Sequence, residues 1–311
     1  MFTSIEIENF RGFSKLKLSD LGRVNLVVGK NNTGKTSLLE AIAIATGRDM
    51  MDLLPALFRI AAEKEDERYY PWLIKDGAAR ALIAATLDSG PNVRVVIAPA
   101  PLSARGSRSD WGRWIVLTVV NGLSDMLKTL AISVEHVPME VLVVPFADAI
   151  RAPADERTME ALLASVDPRI KAVRLDVIGN RTFVAIDVGL TNRIPLPHLG
   201  QGIYRLVAIF SQLIGTKPKI CFIDEIENGI HYTALPAVWK GIAEVAERLD
   251  IQIFATTHSR ECLVAAHEVF SARPTYDFRI IQLDRVPGGV EGRTMGRDLI
   301  EAAIEADIEV R

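Results

Sequence analysis

The sequence predicts an α/β fold: a mixed sheet with a parallel core, interrupted after its first helix by an inserted lobe of antiparallel strands and helices. Three observations carry this expectation. A glycine-rich loop, Gly29–Thr36, joins an apolar strand to a helix. Beyond Gly202, helical and apolar strand patterns alternate, as they do in a parallel sheet. Between residues 81 and 146, strand-like runs follow one another through short connections, the pattern of an antiparallel sheet.

In chain order, residues 4–8 and 15–19 alternate apolar and polar side chains, and Val24–Val28 reads as a short buried strand. Gly29–Thr36 breaks that strand. Ser37–Thr46 then reads as a helix with Leu38, Leu39, Ile42 and Ala45 on one face and Gly47 as its stop. Residues 48–80 read as mostly helical, with Glu63–Arg68 a solvated face. The runs Leu82–Leu87, Val93–Ile97, Trp114–Val120, Leu130–Val134 and Val141–Pro145 read as strands, and Ser103–Asp110 as a mobile loop. Residues 155–165 read as a helix and 172–188 as two strands about Gly179-Asn180. Then come helix 203–214, strand 219–223, helix 231–249, strand 251–256, helix 259–271, strand 278–284 and a last helix near 296–306. The expected division is a core of residues 1–47 and 168–311, with 48–167 as the inserted lobe.

Composition narrows the function. Hydrophobic residues at 49% and charged residues at 24% give a chain that can bury a core of its own. Lys and Arg number 36 against 39 Asp and Glu, a net charge of −3, unlike a protein that wraps nucleic acid by charge alone. The balance leaves room only for a local basic patch. Cys221 and Cys262 lie apart in apolar runs, so neither a zinc site nor a disulfide framework is expected, and a reducing compartment fits. The acidic, alternating start is unlike a signal peptide, and no apolar run reaches the ~20 residues of a membrane span. The expectation is a cytoplasmic protein with no membrane partner.

The loop Gly29-Lys30-Asn31-Asn32-Thr33-Gly34-Lys35-Thr36 fits G-x-x-x-x-G-K-[ST] at every position. Its glycines let the backbone curl so that N–H groups face phosphates, aided by the positive end of the following helix, where Ser37 comes next. Lys35 supplies charge for the β- and γ-phosphates and Thr36 a hydroxyl for Mg²⁺, so ATP and Mg²⁺ are the expected ligands. A second apolar strand ends in Asp224-Glu225, placing Asp224 beside the metal and Glu225 where it can polarise an attacking water. A third delivers His258, 33 residues after Glu225, to the same edge, where a histidine can sense the γ-phosphate.

These three elements, in this order, resemble the ABC-type ATPases of the SMC and OLD families. The resemblance implies the ABC-ATPase P-loop fold, with 29–36 as Walker A, 220–225 as Walker B, Glu225 as general base and His258 as switch histidine. Glu227-Asn228-Gly229-Ile230-His231 then resembles the D-loop, which implies that Asn228 helps link two nucleotide sites across a dimer. The opening Ile5–Phe13 resembles the family's first strand and turn, and implies that Arg11 lies near nucleotide or DNA; a plain surface arginine is the other reading. The run Ile194–Leu206 is similar to the stand-alone OLD-like or AbiEii-toxin-like ATPases, found largely in phage-defence and toxin–antitoxin operons. The resemblance covers residues 1–47 and 168–311.

Residues 198–202 hold the place of the ABC signature, 22 residues from Gly202 to Asp224. In ABC proteins that loop begins a helix whose N-terminus grips the γ-phosphate of the opposite subunit. Here it reads Leu-Gly-Gln-Gly without the transporter serine, so Gly200, Gln201 and Gly202 would act through backbone N–H groups. No glutamine precedes Gln201, so the Q-loop glutamine is missing. A head-to-tail, ATP-dependent homodimer is expected, acting as a switch on a separate effector protein in phage defence or a toxin–antitoxin system. The alternative is a DNA-repair or chromosome-associated SMC-like ATPase that binds nucleic acid directly. Against it, Gly47–Gly202 shows no sustained heptads, and Arg105, Arg108 and Arg113 are few for phosphate contacts. A transporter motor is disfavoured by the missing glutamine and serine, and a small GTPase by the lack of an N-K-x-D sequence.

Overall fold

The computed structural model describes residues 1–46, 73–90, 92–99, 114–120, 129–132 and 137–306. Its centre is a six-stranded sheet whose spatial order is β14-β13-β3-β12-β11-β7. β3 (Val24–Val28), β7 (Thr129–Ile132), β11 (Ile220–Ile223), β12 (Gln252–Thr256) and β13 (Phe278–Val286) run parallel, and β14 (Gly289–Met295) closes the edge antiparallel to β13. A second, wholly antiparallel sheet has the order β2-β1-β4-β5-β6, from β1 (Phe2–Phe10), β2 (Phe13–Ser19), β4 (Ala81–Leu87), β5 (Asn92–Pro99) and β6 (Trp114–Val120). A small third sheet holds β8 (Ala172–Ile178), β9 (Arg181–Asp187) and β10 (Ile194–Pro195).

The pleat of the central strands explains why there are two cores. Cys221 and Ile223 of β11 pack in one, beneath the helices, whereas Ile220 and Phe222 pack in the other, between the two large sheets. The helix-side core is built with α2 (Met139–Ala149), α3 (Pro153–Val166), α4 (Gln201–Thr216), α5 (Leu235–Arg248), α6 (Arg260–Ser271) and α7 (Arg297–Glu305). The inter-sheet core surrounds α1 (Lys35–Ala45), the helix that follows the glycine-rich loop. Helix α1 is apolar on nearly every side because protein surrounds it, with residues 38–45 all buried.

The mixed α/β architecture with its parallel core is as expected, and several elements differ. Val141–Pro145, expected as a strand, lies within α2. Its β-branched residues obscured a helical period: Leu142, Phe146 and Ala149 are buried while Val141 and Val144 face out at 59% and 66% exposure. β7 was expected among antiparallel strands, yet it pairs in parallel with β11. β14 was not anticipated; its charged alternation, Glu291 and Arg293, suits an edge strand joined to β13 by the turn at Pro287-Gly288. The expected helix from 231 begins instead as a short 3₁₀ turn, Tyr232–Ala234, with Pro236 in the first turn of α5. Residues 74–80 are not helical: Ile74 bridges Phe10 and a turn follows. The expected charged face Glu63–Arg68, the loop Ser103–Asp110 and Arg113 lie outside the described residues. Residues 48–167 supply strands to both large sheets.

Helix α2 carries Pro145 in its interior, which removes one backbone donor. Gly215 of α4 lies so close to it that an added Cβ would fall 2.2 Å from the Pro145 carbonyl oxygen. Gly215→Ala is therefore expected to force the two helices apart and cost about 1–3 kcal/mol. Chemical denaturation measures this, and an unchanged midpoint would count against so tight a contact.

Candidate functional site

Parallel pairing brings three strand ends to one edge. β3, β12 and β11 are neighbours, with Val27 opposite Thr256 and Ala255 opposite Ile223. The segments leaving that edge are therefore Gly29–Thr36, Asp224-Glu225 and Thr257-His258, the three motifs singled out in the sequence. Ligand sites in open α/β sheets form at such carboxyl ends.

The loop 29–36 curls as its glycines require. Gly29 has φ 149°, and a Cβ there would meet the Leu283 carbonyl oxygen at 2.5 Å. Gly34 has φ 94° and precedes the first turn of α1, where Leu38 N–H donates to its carbonyl at 2.8 Å. Lys30, Asn31 and Asn32 are exposed at the rim, and Asn32 takes φ 62°. The Thr33 hydroxyl donates to Lys30 O at 2.9 Å, tightening the curl. The Lys35 ammonium is buried beneath it, donating to Gly29 O at 2.7 Å and Lys30 O at 3.0 Å. Burial lowers the Lys35 pKa from the ordinary lysine value, while Asp224, Glu225 and Glu227 raise it. Thr36 and Ser37 are half-buried in the first turn of α1.

Opposite the loop, Asp224 is 3% exposed and its Oδ1 accepts a hydrogen bond from the Thr256 hydroxyl at 2.6 Å. The same Thr256 oxygen accepts the Glu225 N–H at 2.8 Å. Glu225 is half-buried with φ 47°, a left-handed conformation that costs about 1–3 kcal/mol in a non-glycine residue. The bond to Thr256, and Asn228 N–H donating to the Glu225 carbonyl at 2.9 Å, hold that conformation. His258 is half-buried at the same edge, and its N–H donates to Glu227 Oε1 at 2.8 Å.

The signature-like loop lies next to the D-loop-like segment. A Cβ on Gly202 would fall 2.8 Å from the Gly229 carbonyl oxygen, and Gly200, Gln201, Asn228 and Gly229 are all exposed. On the same helix, Arg205 is buried and donates to the Asp224 carbonyl at 2.9 Å. Arg11, in the turn between β1 and β2 at φ 47°, pairs through Nε with Glu40 Oε2 at 2.7 Å. Thr256, Glu40 and Arg205 were not assigned roles from sequence. A threonine closing an apolar strand reads as a strand former, and a carboxylate inside an apolar helix has no motif to mark it.

Burial pushes the Glu40 carboxyl up to about 8, and Asp224 adds to the rise while Arg11 opposes it. A carboxyl whose folded pKa exceeds its ordinary 4.5 keeps its proton in the fold while the unfolded chain releases it. Its contribution to stability is thus fully present below that ordinary value and lost as pH rises towards about 8. Glu40→Gln is expected to flatten melting temperature against pH across this window, and an undiminished slope in the variant would assign the dependence elsewhere.

Every side-chain donor assigned to Mg²⁺ is an oxygen, the Asp224 carboxylate and the Thr36 hydroxyl, as a hard cation requires. Cys221 and Cys262 are buried and unbridged, and burial raises both thiol pKa values, so neither is poised to react. No helix among the described residues is long and apolar enough to cross a membrane.

Known proteins resemble this chain in sequence and in fold. A model described as "AAA ATPase domain" matches residues 1–69, and one described as "AAA domain, putative AbiEii toxin, Type IV TA system" matches 119–263. The chain is 21% identical to an ATP/GTP phosphatase of Helicobacter pylori, over 86% of this chain and 88% of that one. It is 32% identical to the DNA double-strand break repair Rad50 ATPase of Sulfurisphaera tokodaii, over 31% of this chain but only 10% of the relative. Its fold is similar to a solved SMC head bound to the C-winged helix domain of ScpA, with TM-score 0.65, 14% identity and coverage of 98% and 99%. The phosphate loop at the mouth of the parallel sheet, the two ATPase models and the ATP/GTP phosphatase relative make the chain an ATPase, with a fold similar to that of the SMC head.

Proposed function

We propose that two copies of the chain close head to tail on two ATP·Mg²⁺, and that this closure is a switch read by a separate effector protein. The supporting observation is that the signature-like and D-loop-like segments meet at half-buried Gly202 and exposed Gly229, with Gly200, Gln201 and Asn228 exposed beside them. A helix start with bare N–H groups is suited to phosphate, and Gly200, Gln201 and Gly202 present one at the beginning of α4.

In this reading residues Gly29–Gly34 wrap the phosphates with backbone N–H groups, Lys35 exchanges its carbonyl partners for phosphate oxygens, and Thr36 and Ser37 complete the cradle. Thr36 and Asp224 would hold Mg²⁺, which supplies charge neutralisation along the phosphates. Glu225 orients water for attack and takes its proton, and His258 lies against the γ-phosphate. Asn228 belongs to the edge facing the second copy, and Arg11 borders the nucleotide from the β1–β2 turn. The AbiEii-described model over residues 119–263 supports a role in a toxin–antitoxin system; phage defence and a cytoplasmic setting belong to the same proposal. Light scattering tests the closure: mass should double on adding ATP·Mg²⁺, and a mass unchanged by nucleotide would overturn the switch.

A second reading, direct action on DNA, is favoured by the SMC-head fold and the Rad50 match. It requires affinity for duplex that falls steeply with salt. A flat salt dependence would remove it.

A further inference from the structure

We infer that Glu227 is a positioning residue for His258, tying the switch histidine to the edge that a second copy would engage. The inference rests on the reading of His258 given above and adds the residue through which it is governed.

Four observations lead to it. The Glu227 carboxylate accepts the backbone N–H of His258 through Oε1 at 2.8 Å, across 31 positions of sequence. This bond joins the segment after β11 to the segment after β12, beyond the point where strand pairing ends at Ile223 and Ala255. Glu227 also anchors its own loop, because its carbonyl accepts Ile230 N–H at 2.9 Å, closing the turn that carries Gly229. Gly229 in turn supports the start of α4 at Gly202. One residue is therefore bonded through its side chain to the histidine and through its backbone to the turn beneath the signature-like loop.

The second carboxylate oxygen, Oε2, is buried without a hydrogen-bond partner among the described residues. An acceptor left bare in the interior carries a desolvation penalty, so the group is not placed there for packing alone. Its negative charge acts on Lys35 and on Arg205. The carboxylate thus lies electrostatically between the phosphate-loop lysine and the signature helix. Displacement of the Gly229 turn by a docking copy would shift Glu227, and with it the backbone at His258. No bond is made or broken at Glu227; it acts by setting where the imidazole stands.

The test is a mutant cycle on the full chain, with kcat and KM for ATP hydrolysis measured separately. Glu227→Ala should lower kcat about tenfold or more, as expected when a reacting group is misplaced, with KM little changed because the phosphate loop is intact. Glu227→Gln, which can still accept the His258 N–H, should recover most of that loss. In a His258→Ala background, Glu227→Ala should add nothing further. If Glu227→Ala fails to fold, Glu227→Leu replaces it, since it keeps volume but cannot accept. Normal kcat in His258→Ala would overturn the histidine's role and the inference with it. An impaired His258→Ala with an additive Glu227→Ala, or no recovery by Gln, would overturn the inference alone.

Discussion

Lys35→Ala is expected to weaken ATP binding by at least ~10- to 100-fold, measured by calorimetry, because a hydrogen-bonded charged group is worth ~1.5–3 kcal/mol. The ammonium is already placed for the task. It sits beneath the loop on the Gly29 and Lys30 carbonyls, at 2.7 and 3.0 Å, so binding exchanges two neutral acceptors for charged phosphate oxygens. Burial and three nearby carboxylates act on it in opposite directions, and an anionic ligand adds to the side that keeps it protonated. Removing the side chain also removes the two bonds that brace the curl. Lys35→Met, which keeps most of the aliphatic stem, separates that packing loss from the loss of charge. Wild-type affinity in both variants would refute the assignment of 29–36 as a phosphate loop.

The parts of the fold legible in the sequence were those whose chemistry is local. Gly29 and Gly34 must be glycines because their backbone angles and near contacts admit little else, and the motif records this directly. The acidic end of β11 and the histidine after β12 were legible because apolar runs stop abruptly at polar residues. What escaped was decided by partners distant in sequence. β7 could not be seen to pair with β11, 91 positions apart at Thr129 and Ile220, since parallel pairing leaves no turn signal. Val141, Val143 and Val144 read as strand until the burial of Leu142, Phe146 and Ala149 shows a helical face. Thr256 joins Asp224 to Glu225, and Glu40 pairs with Arg11, through contacts visible only once the sheets are assembled.

Glu225→Gln is expected to keep ATP binding, lower hydrolysis by ~10²–10⁴-fold, the usual contribution of a positioned general base, and accumulate the closed dimer. The backbone makes this a clean substitution. Glu225 stands at φ 47°, held by its N–H on Thr256 and its carbonyl beneath Asn228, and glutamine keeps both bonds with a side chain of nearly the same shape. A β-branched replacement would be strained at that angle and would confound base removal with loop rearrangement. Two measurements on one sample carry the argument: phosphate release for the chemistry and light scattering with ATP·Mg²⁺ for closure. Lost turnover with a mass of two chains places Glu225 after closure, as the group that ends it. Lost turnover with a mass of one chain would leave Glu225 as the base but deny that hydrolysis opens a dimer, and unaltered turnover would remove it from the chemistry.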